Sequence, residues 1–280
     1  MLAGSMAMFA YSGSGSLTKD SLIDPRTWLY GLMQIISSIL LMILFTITTS
    51  TEGSLLSRFS IIFAFLFSLI FLNRKPQAID LIAIAIVFAS ISIILSGLPS
   101  DIFKVSLILM VFASLTQAIR SFMAELHKAN NTAKTVKDEV RVTSVVLFLT
   151  SSSFLMLNFI IALIKGYLPE HTQFLSIMPS LNDFAVKETL YMSAIVGVVV
   201  VGGMKYMEFV SVKIIKSEMF LLIAAIVPAI TFGFENVAST FTSMSVSEIS
   251  ENDIYAGLLL ITGSVLTGIF KLIKRKQPNL

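Results

Sequence analysis

Runs of about twenty apolar residues recur along the whole chain, separated by short polar segments. Examples are residues 28–48, 53–72, 80–98 and 142–165. A hydrocarbon layer about 30 Å thick is crossed by roughly 20 residues of α-helix, and such a helix satisfies its own backbone hydrogen bonds. The pattern therefore predicts an all-α, polytopic bundle of transmembrane helices.

Apolar windows predict nine spans, of which the first is weak. They cover residues 1–17, 28–48, 53–72, 80–98, 103–126, 142–165, 187–209, 213–233 and 254–272. The polar segments 49–52 and 73–76 are expected to separate helices. Residues 1–10 carry no leading positive charge, so we expect a helix there and not a secretory signal.

Composition excludes an ordinary soluble domain. The 280 residues are 55% hydrophobic and only 13% charged, with a mean hydropathy of +0.88, whereas about a quarter of the residues of soluble proteins are charged. The net charge is +3 and the basic residues are scattered, so nucleic acid is not expected as a partner. There is no cysteine, and His127 and His171 lie far apart, so no cofactor or metal is expected.

Positive charge is concentrated in alternate loops. The basic set comprises Lys19, Arg26, Arg74, Lys75, Lys128, Lys134, Lys137, Arg141, Lys213 and Lys216, with Lys271, Lys274, Arg275 and Lys276 in the C-terminal tail. The opposite loops hold Lys165 and Lys187 among acids such as Glu170 and Glu248. Because Lys and Arg resist translocation, the C-terminus is predicted to be cytoplasmic, in a cell membrane that we take to be the bacterial inner membrane.

Three spans of each half match in order and spacing: 28–48, 53–72 and 80–98 against 187–209, 213–233 and 254–272. Two further spans precede this set in the second half, whereas the first half has only residues 1–17. We therefore predict two repeats, 1–99 and 100–280, with about four and five helices, the first being shortened at its N-terminus. Complete repeats of five helices would enter the membrane from opposite sides, as inverted repeats.

The stretch 54–75, SLLSRFSIIFAFLFSLIFLNRK, and the stretch 80–95, DLIAIAIVFASISIIL, resemble the last two helices of an EamA-type repeat. This resemblance implies the drug/metabolite transporter superfamily, whose members have ten helices in two inverted repeats and move small metabolites, often outward. The chain departs from the family pattern, which often has a proline entering the fourth helix of a repeat and Gly-Glu at its end. Ser60 and Leu72-Asn73 stand there in the first half, and Phe234-Glu235 retains the acid in the second. Pro228 lies too close to that acid to be the family's proline, and we expect it to kink its helix and free a carbonyl that neighbouring helices satisfy.

Ionisable side chains inside spans are candidates for a transport pathway, since each costs roughly 2.5 to 3.5 kcal/mol at the bilayer centre on insertion scales. Arg120 and Gln117 lie one turn apart and present donors suited to a carboxylate or phosphate; alternatively, the arginine snorkels to the headgroups. Lys205 and Glu208 share one helix face. They form a structural ion pair. Alternatively, they line a cavity, and the binding of substrate releases the lysine from the glutamate.

Arg58 and Glu218 lie about five residues from the outer and inner ends of their spans, a position that favours snorkelling. The two spans would be equivalent in the two repeats, so these opposite charges are also candidates for gating or coupling. A proton-coupled exporter needs a carboxylate that binds proton and substrate in turn, and Glu208 and Glu218 are the candidates.

No catalytic motif of the His-Glu-x-x-His, Gly-x-Ser-x-Gly or phosphate-binding-loop type occurs, so an enzyme is not expected. We expect a secondary transporter, working outward, of small polar metabolites such as amino acids. Its predicted substrate-binding residues are Gln117, Arg120, Lys205 and Glu208. The expected partners are a small-molecule substrate and the lipid bilayer, with a homodimer left open. The alternative is a membrane scaffold or assembly partner that transports nothing.

Overall fold

The computed structural model describes residues 1–165, 180–241 and 250–276. These residues form helices joined by short turns, and no strand occurs among them. Seven helical segments in this part of the chain are long and apolar enough to cross a membrane: Pro25–Ile47, Ser50–Leu72, Ala78–Gly97, Ser100–Leu126, Val136–Lys165, Leu190–Ile215 and Ser217–Phe234. The protein is a multi-pass membrane protein, as the apolar pattern predicts.

The α-helices are numbered here in chain order. They are α1 Leu2–Ser12, α2 Ser16–Ile23, α3 Pro25–Ile47, α4 Ser50–Leu56, α5 Ser60–Leu72, α6 Ala78–Gly97, α7 Ser100–Leu126, α8 Lys128–Thr132, α9 Val136–Lys165, α10 Lys187–Val196, α11 Gly203–Ile215, α12 Ser217–Ile223, α13 Val227–Phe241 and α14 Glu251–Lys276. Ser57–Phe59, Leu181–Ala185 and Ala224–Ile226 are 3-10 turns, and Gly197–Gly202 is π-helical.

The polar segments predicted to separate helices do so. The Thr49 amide donates to the Glu52 carboxylate at 2.8 Å, and the Glu52 amide donates to Thr49 Oγ1 at 3.1 Å, which forms a capping box at the start of α4. At the other end, Asn73 adopts the left-handed region with φ 50° and ends α5.

The span predicted over residues 1–17 is instead two short helices, α1 and α2. The chain turns between them at Gly13, whose φ of 67° is a conformation that glycine adopts without a Cβ clash. Arg141 of α9 completes the end of α1, because its guanidinium donates to the carbonyls of Ser12 at 2.8 Å and Gly13 at 2.9 Å. With 11 residues, α1 is about 16 Å long, half of what a span needs.

Two compact units divide the chain, and each is assembled from both of its halves. Unit 1 consists of Met1–Ile35 and Met123–Ile214, and unit 2 of Ile36–Phe122 and Ile215–Leu280. The predicted repeats, 1–99 and 100–280, describe duplicated sequence, whereas the two units describe packing. The repeats therefore remain a prediction.

In unit 1, α1 packs against α9, α10 and the π-helical stretch, and α2 packs against α8 and α9. Glycines permit the first of these contacts: a Cβ on Gly4 would overlap the carbonyl oxygen of Gly197 and lie 3.4 Å from Cα of Gly202. Small residues of this kind let membrane helices approach closely, where dispersion contacts hold them. Tyr30 and Phe209, both fully buried, pack against each other in the same unit, with ring centroids 5.0 Å apart and ring planes inclined by 60°.

In unit 2, α6 packs along α14, α4 packs against α13, and α12 packs against α5. The first part of each interrupted segment thus meets the last part of the other. The segments Ser50–Leu72 and 217–241 therefore run antiparallel. Buried apolar side chains such as Leu55, Ile61 and Leu222 form the core between these helices.

Candidate functional site

Two membrane segments of unit 2 are interrupted in the same way. Each begins with a seven-residue helix, continues through a three-residue 3-10 turn and resumes as a longer helix: α4 to α5 through Ser57–Phe59, and α12 to α13 through Ala224–Ile226. A 3-10 turn replaces i→i+4 bonds by i→i+3 bonds of poorer geometry. Backbone carbonyls at such an interruption are open to other donors.

Arg58 joins the two interruptions. Its side chain is buried, with 7% of the residue exposed, and it lies in the first 3-10 turn. Its Nη1 donates to the carbonyl oxygen of Ala224, in the second turn, at 2.9 Å. Its Nε donates to the Ser54 carbonyl at 3.2 Å and its Nη2 to Ser57 Oγ at 3.1 Å. Uncharged oxygen atoms within the membrane segments thus accept the hydrogen bonds of the Arg58 guanidinium.

Helix α7 adds a second cation to this cluster. Arg120 is 8% exposed, and its guanidinium is close enough to that of Arg58 for the two charges to repel. The helix is tied to the first turn by Ser114 Oγ, which donates to the Ser57 carbonyl at 3.4 Å. One turn on, Gln117 Oε1 is buried and finds no hydrogen-bond partner among the described residues. We call Arg58, Ser57, Gln117, Arg120 and the Ala224 carbonyl the break cluster.

The break cluster has the chemistry of an anion site. Each guanidinium group carries five N–H donors in a planar fork that matches carboxylate and phosphate geometry. Like charges held together in a poorly solvated place repel more strongly than in water. An anion between Arg58 and Arg120 would relieve that repulsion.

Glu218, predicted as a gating or coupling residue, is bound to an arginine. Nη1 of Arg74 lies 3.1 Å from both carboxylate oxygens of Glu218, whose side chain is 10% exposed. The pair joins the end of α5 to the start of α12, so these ends lie on the same side of unit 2. Sequence reasoning did not identify Arg74 as a partner, because 144 positions separate the two residues.

Lys205 and Glu208 form the ion pair that their spacing predicts. Lys205 Nζ lies 2.8 Å from Glu208 Oε2, and the side chains are 11% and 4% exposed. The lysine ammonium is also 5.9 Å from the centroid of the Tyr30 ring, within the range of a cation–π contact. This pair belongs to unit 1, whereas Gln117, Arg120, Arg58 and Glu218 belong to unit 2.

A buried polar cluster in unit 1 was not predicted. His127 Nδ1 accepts from the Asn130 amide at 3.2 Å, so its Nε2 carries the proton and donates to Thr27 Oγ1 at 2.8 Å. Thr27 in turn donates to the Ser21 carbonyl. Asp24 accepts from the amides of Arg26 at 3.0 Å and Lys128 at 3.1 Å. The sequence signal was the Asp24-Pro25 pair, a typical helix start.

Burial controls the ionisation of this polar cluster. Desolvation lowers the pKa of His127 to about 4, although the nearby carboxylate of Asp24 opposes the shift. Burial acts to raise the pKa of Asp24, but the amides of Arg26 and Lys128 outweigh it and the pKa is lowered. His127 is therefore neutral and Asp24 charged at pH 7.

Across the described residues, no group of three or more His, Asp or Glu side chains is placed to hold a metal ion. His171, Glu170 and Glu248, which entered the sequence analysis, lie outside those residues. A search of family models and of curated proteins with this sequence gives no match.

Proposed function

We propose that this protein is a secondary transporter of small polar metabolites bearing a carboxylate or phosphate, such as amino acids or related compounds, and that it works outward. The observation that carries the proposal is the break cluster, in which Arg58 bridges two matching helix interruptions beside Arg120. Transporters commonly bind substrate near the bilayer midplane at discontinuous helices, whose open backbone groups and helix ends face the substrate. Buried ionisable groups are expensive in lipid, so a pair of cations there favours a substrate pathway.

Substrate binding at Arg58 would favour a change in the conformation of the protein. A carboxylate is a stronger acceptor for a guanidinium than the neutral carbonyl of Ala224. When substrate takes the place of that carbonyl, the first interruption is released from the second. A ligand shifts a conformational equilibrium only through such a difference in interaction between the two states.

The EamA-like architecture belongs to the same proposal. Two inverted repeats, 1–99 and 100–280, would place Ser50–Leu72 and 217–241 at equivalent positions of opposite direction. The matching interruptions and the antiparallel packing of these two segments support it. In this arrangement Arg74 and Glu218 form a gate at one membrane face, and the Lys205–Glu208 pair is the candidate for proton coupling.

The test is uptake into lipid vesicles that contain the purified full-length protein, with a panel of amino acids and organic phosphates, with and without a pH gradient. Saturable transport should fall at least tenfold in Arg120→Gln, because glutamine lacks the positive charge of the Arg120 guanidinium. Lys104→Gln is the matched control, since Lys104 is an exposed cation on the same helix, α7. Size-exclusion chromatography and circular dichroism establish that both variants fold.

Unchanged transport by folded Arg120→Gln would contradict the role of the break cluster. If the folded wild-type protein moves no member of the panel in either direction, the alternative of a scaffold or assembly partner is favoured instead.

A further inference from the structure

A cavity of about 400 Å³ with charged side chains in its wall lies in unit 1, where α2, the start of α3 and α8 meet. Asp20, Arg26, Lys128 and Thr132 contribute to its lining. Ile23, which also lines it, is 67% exposed. No part of the proposed transport mechanism uses this cavity.

Charged groups with unused hydrogen-bonding capacity line the cavity. The carboxylate of Asp24 is already engaged by two backbone amides. Nη1 of Arg26 is buried 3.5 Å from that carboxylate and makes no hydrogen bond among the described residues. The ammonium of Lys128 and the carboxylate of Asp20 are exposed, and within the described chain neither has a hydrogen bond or an ion pair. The Arg26 side chain is 32% exposed, so the rest of its guanidinium, the Lys128 ammonium and the Asp20 carboxylate are open to a ligand.

The surroundings of the cavity place it at the membrane surface. The long apolar helix α3 begins at Pro25, and α7 ends at Leu126, one residue before the His127 turn. Trp28 is 53% exposed, and its Nε1 donates to the Leu22 carbonyl at 3.0 Å. Tryptophan is enriched at the level of the lipid headgroups, and the exposed Ile23 offers contact to acyl chains.

We propose that this cavity binds the headgroup of a membrane phospholipid that carries a primary ammonium beside its phosphate. The phosphate lies against Arg26 and Lys128, and the ammonium lies against Asp20. Basic pockets near the membrane surface bind lipid phosphates, and charge-assisted hydrogen bonds give them direction. An anionic headgroup without an ammonium would leave its phosphate near an unpaired Asp20, and a quaternary ammonium could not donate a hydrogen bond to it.

The experiment is native mass spectrometry of the detergent-purified full chain, titrated with phosphatidylethanolamine, phosphatidylcholine and phosphatidylglycerol of the same acyl chains. The wild-type protein should retain phosphatidylethanolamine preferentially. Lys128→Gln should lower its retention about fivefold, the effect of one basic side chain near a lipid surface. Asp20→Asn should abolish the preference for phosphatidylethanolamine over phosphatidylcholine. Both side chains are exposed, so the fold is preserved, and Lys104→Gln should behave as wild type.

Soluble glycerophosphoethanolamine distinguishes a lipid from a free phosphate compound, because it has the headgroup without acyl chains. It should displace the lipid only at far higher concentration. Displacement at equal concentration would overturn the assignment to a membrane lipid. Equal retention of phosphatidylethanolamine and phosphatidylcholine by the wild-type protein, or unchanged retention in Lys128→Gln, would overturn the headgroup site itself.

Discussion

Asn130, Arg58 and Arg141 show how single buried polar side chains are accommodated in this protein. Asn130 Nδ2 donates to the carbonyls of Ala124 at 3.2 Å and Phe209 at 3.0 Å. Arg58 and Arg141 likewise donate to backbone oxygens at helix interruptions or ends. In lipid an unsatisfied backbone carbonyl costs several kcal/mol, so each of these side chains stabilises an irregular stretch of helix.

Acidification should destabilise the folded protein through His127. The unfolded imidazole binds a proton near pH 6.5, whereas the folded one binds it only near pH 4. Between these values the unfolded state holds more protons, so stability is complete above pH 6.5 and is lost as the pH falls toward 4. The full shift corresponds to roughly 3 kcal/mol. The midpoint of thermal unfolding in detergent, measured from pH 7.5 to 4.5, checks this expectation.

The variant His127→Asn serves as the control for this titration. Asparagine is a good N-cap residue and can accept from the Asn130 amide as His127 does, but it does not titrate. The part of the pH dependence between 6.5 and 4 should be smaller in the variant. Identical pH profiles for the two proteins would show that His127 does not carry the effect.

The sequence predicted the polar contacts that are local and missed those that are not. The Lys205–Glu208 pair follows from a spacing of three residues on a helix. The bond from Arg58 to Ala224 joins positions 166 apart. Pro228 indicates that the Ala224 carbonyl lacks a helical donor, but nothing local indicates which distant side chain reaches it. The predicted roles of Gln117, Arg120, Lys205 and Glu208 in substrate binding remain predictions.

At the scale of helices, the contact of α1 with the π-helical stretch depends on the absence of a side chain. Gly4→Ala should destabilise the protein by about 1 to 3 kcal/mol, because the new Cβ overlaps the Gly197 carbonyl and backbone must move. Gly203→Ala is the matched control: nothing lies within 4 Å of its Cβ position, and alanine favours a helix. Thermal unfolding in detergent should therefore show a lowered midpoint for the first variant only. Equal midpoints would contradict the close approach.

Helix positions were predictable because each span is a continuous apolar run, so α5, α6 and α7 begin or end within a few residues of their predicted limits. The first interruption, Ser57–Phe59, was not predictable, because it contains neither proline nor glycine and depends on tertiary contacts such as the Arg58 bridge. The second was predictable from Pro228, which has no N–H to donate to the carbonyl of Ala224 four residues earlier. The kink expected at this proline is the 3-10 turn Ala224–Ile226.

At the scale of the whole molecule, ion pairs and cavities identify which ends of the unit 2 helices lie together. Arg74 and Glu218 mark one face. Thr51 and Asp253 line a single apolar groove of about 160 Å³ at the opposite ends of those segments. Helix α14 has 26 residues and is about 39 Å long, enough to carry the chain from that second face back to the first.

The chain contains no cysteine, so single cysteines report topology without background. Ser50→Cys and Asn252→Cys should react with a membrane-impermeant maleimide from the same side of sealed vesicles. Lys75→Cys should react only from the other side. All three side chains are exposed at helix ends, and charge predicts that Lys75 is cytoplasmic. Labelling of Ser50→Cys and Asn252→Cys from opposite sides would contradict the arrangement of unit 2.

The bridge between the two interruptions has a consequence for biosynthesis. Arg58 emerges from the ribosome 166 residues before Ala224. At roughly 5 to 20 residues per second this is a delay on the order of 8 to 33 s. During that delay Arg58 can keep its hydrogen bonds to the Ser54 carbonyl and to Ser57 Oγ, which lie one helical turn or less away, but not the bond to Ala224. Water in the translocon or lipid headgroups must accept hydrogen bonds from the remaining N–H groups until the second half of the chain is inserted. The segment Ser50–Leu72 therefore reaches its final structure only after residues 217–241 are in place.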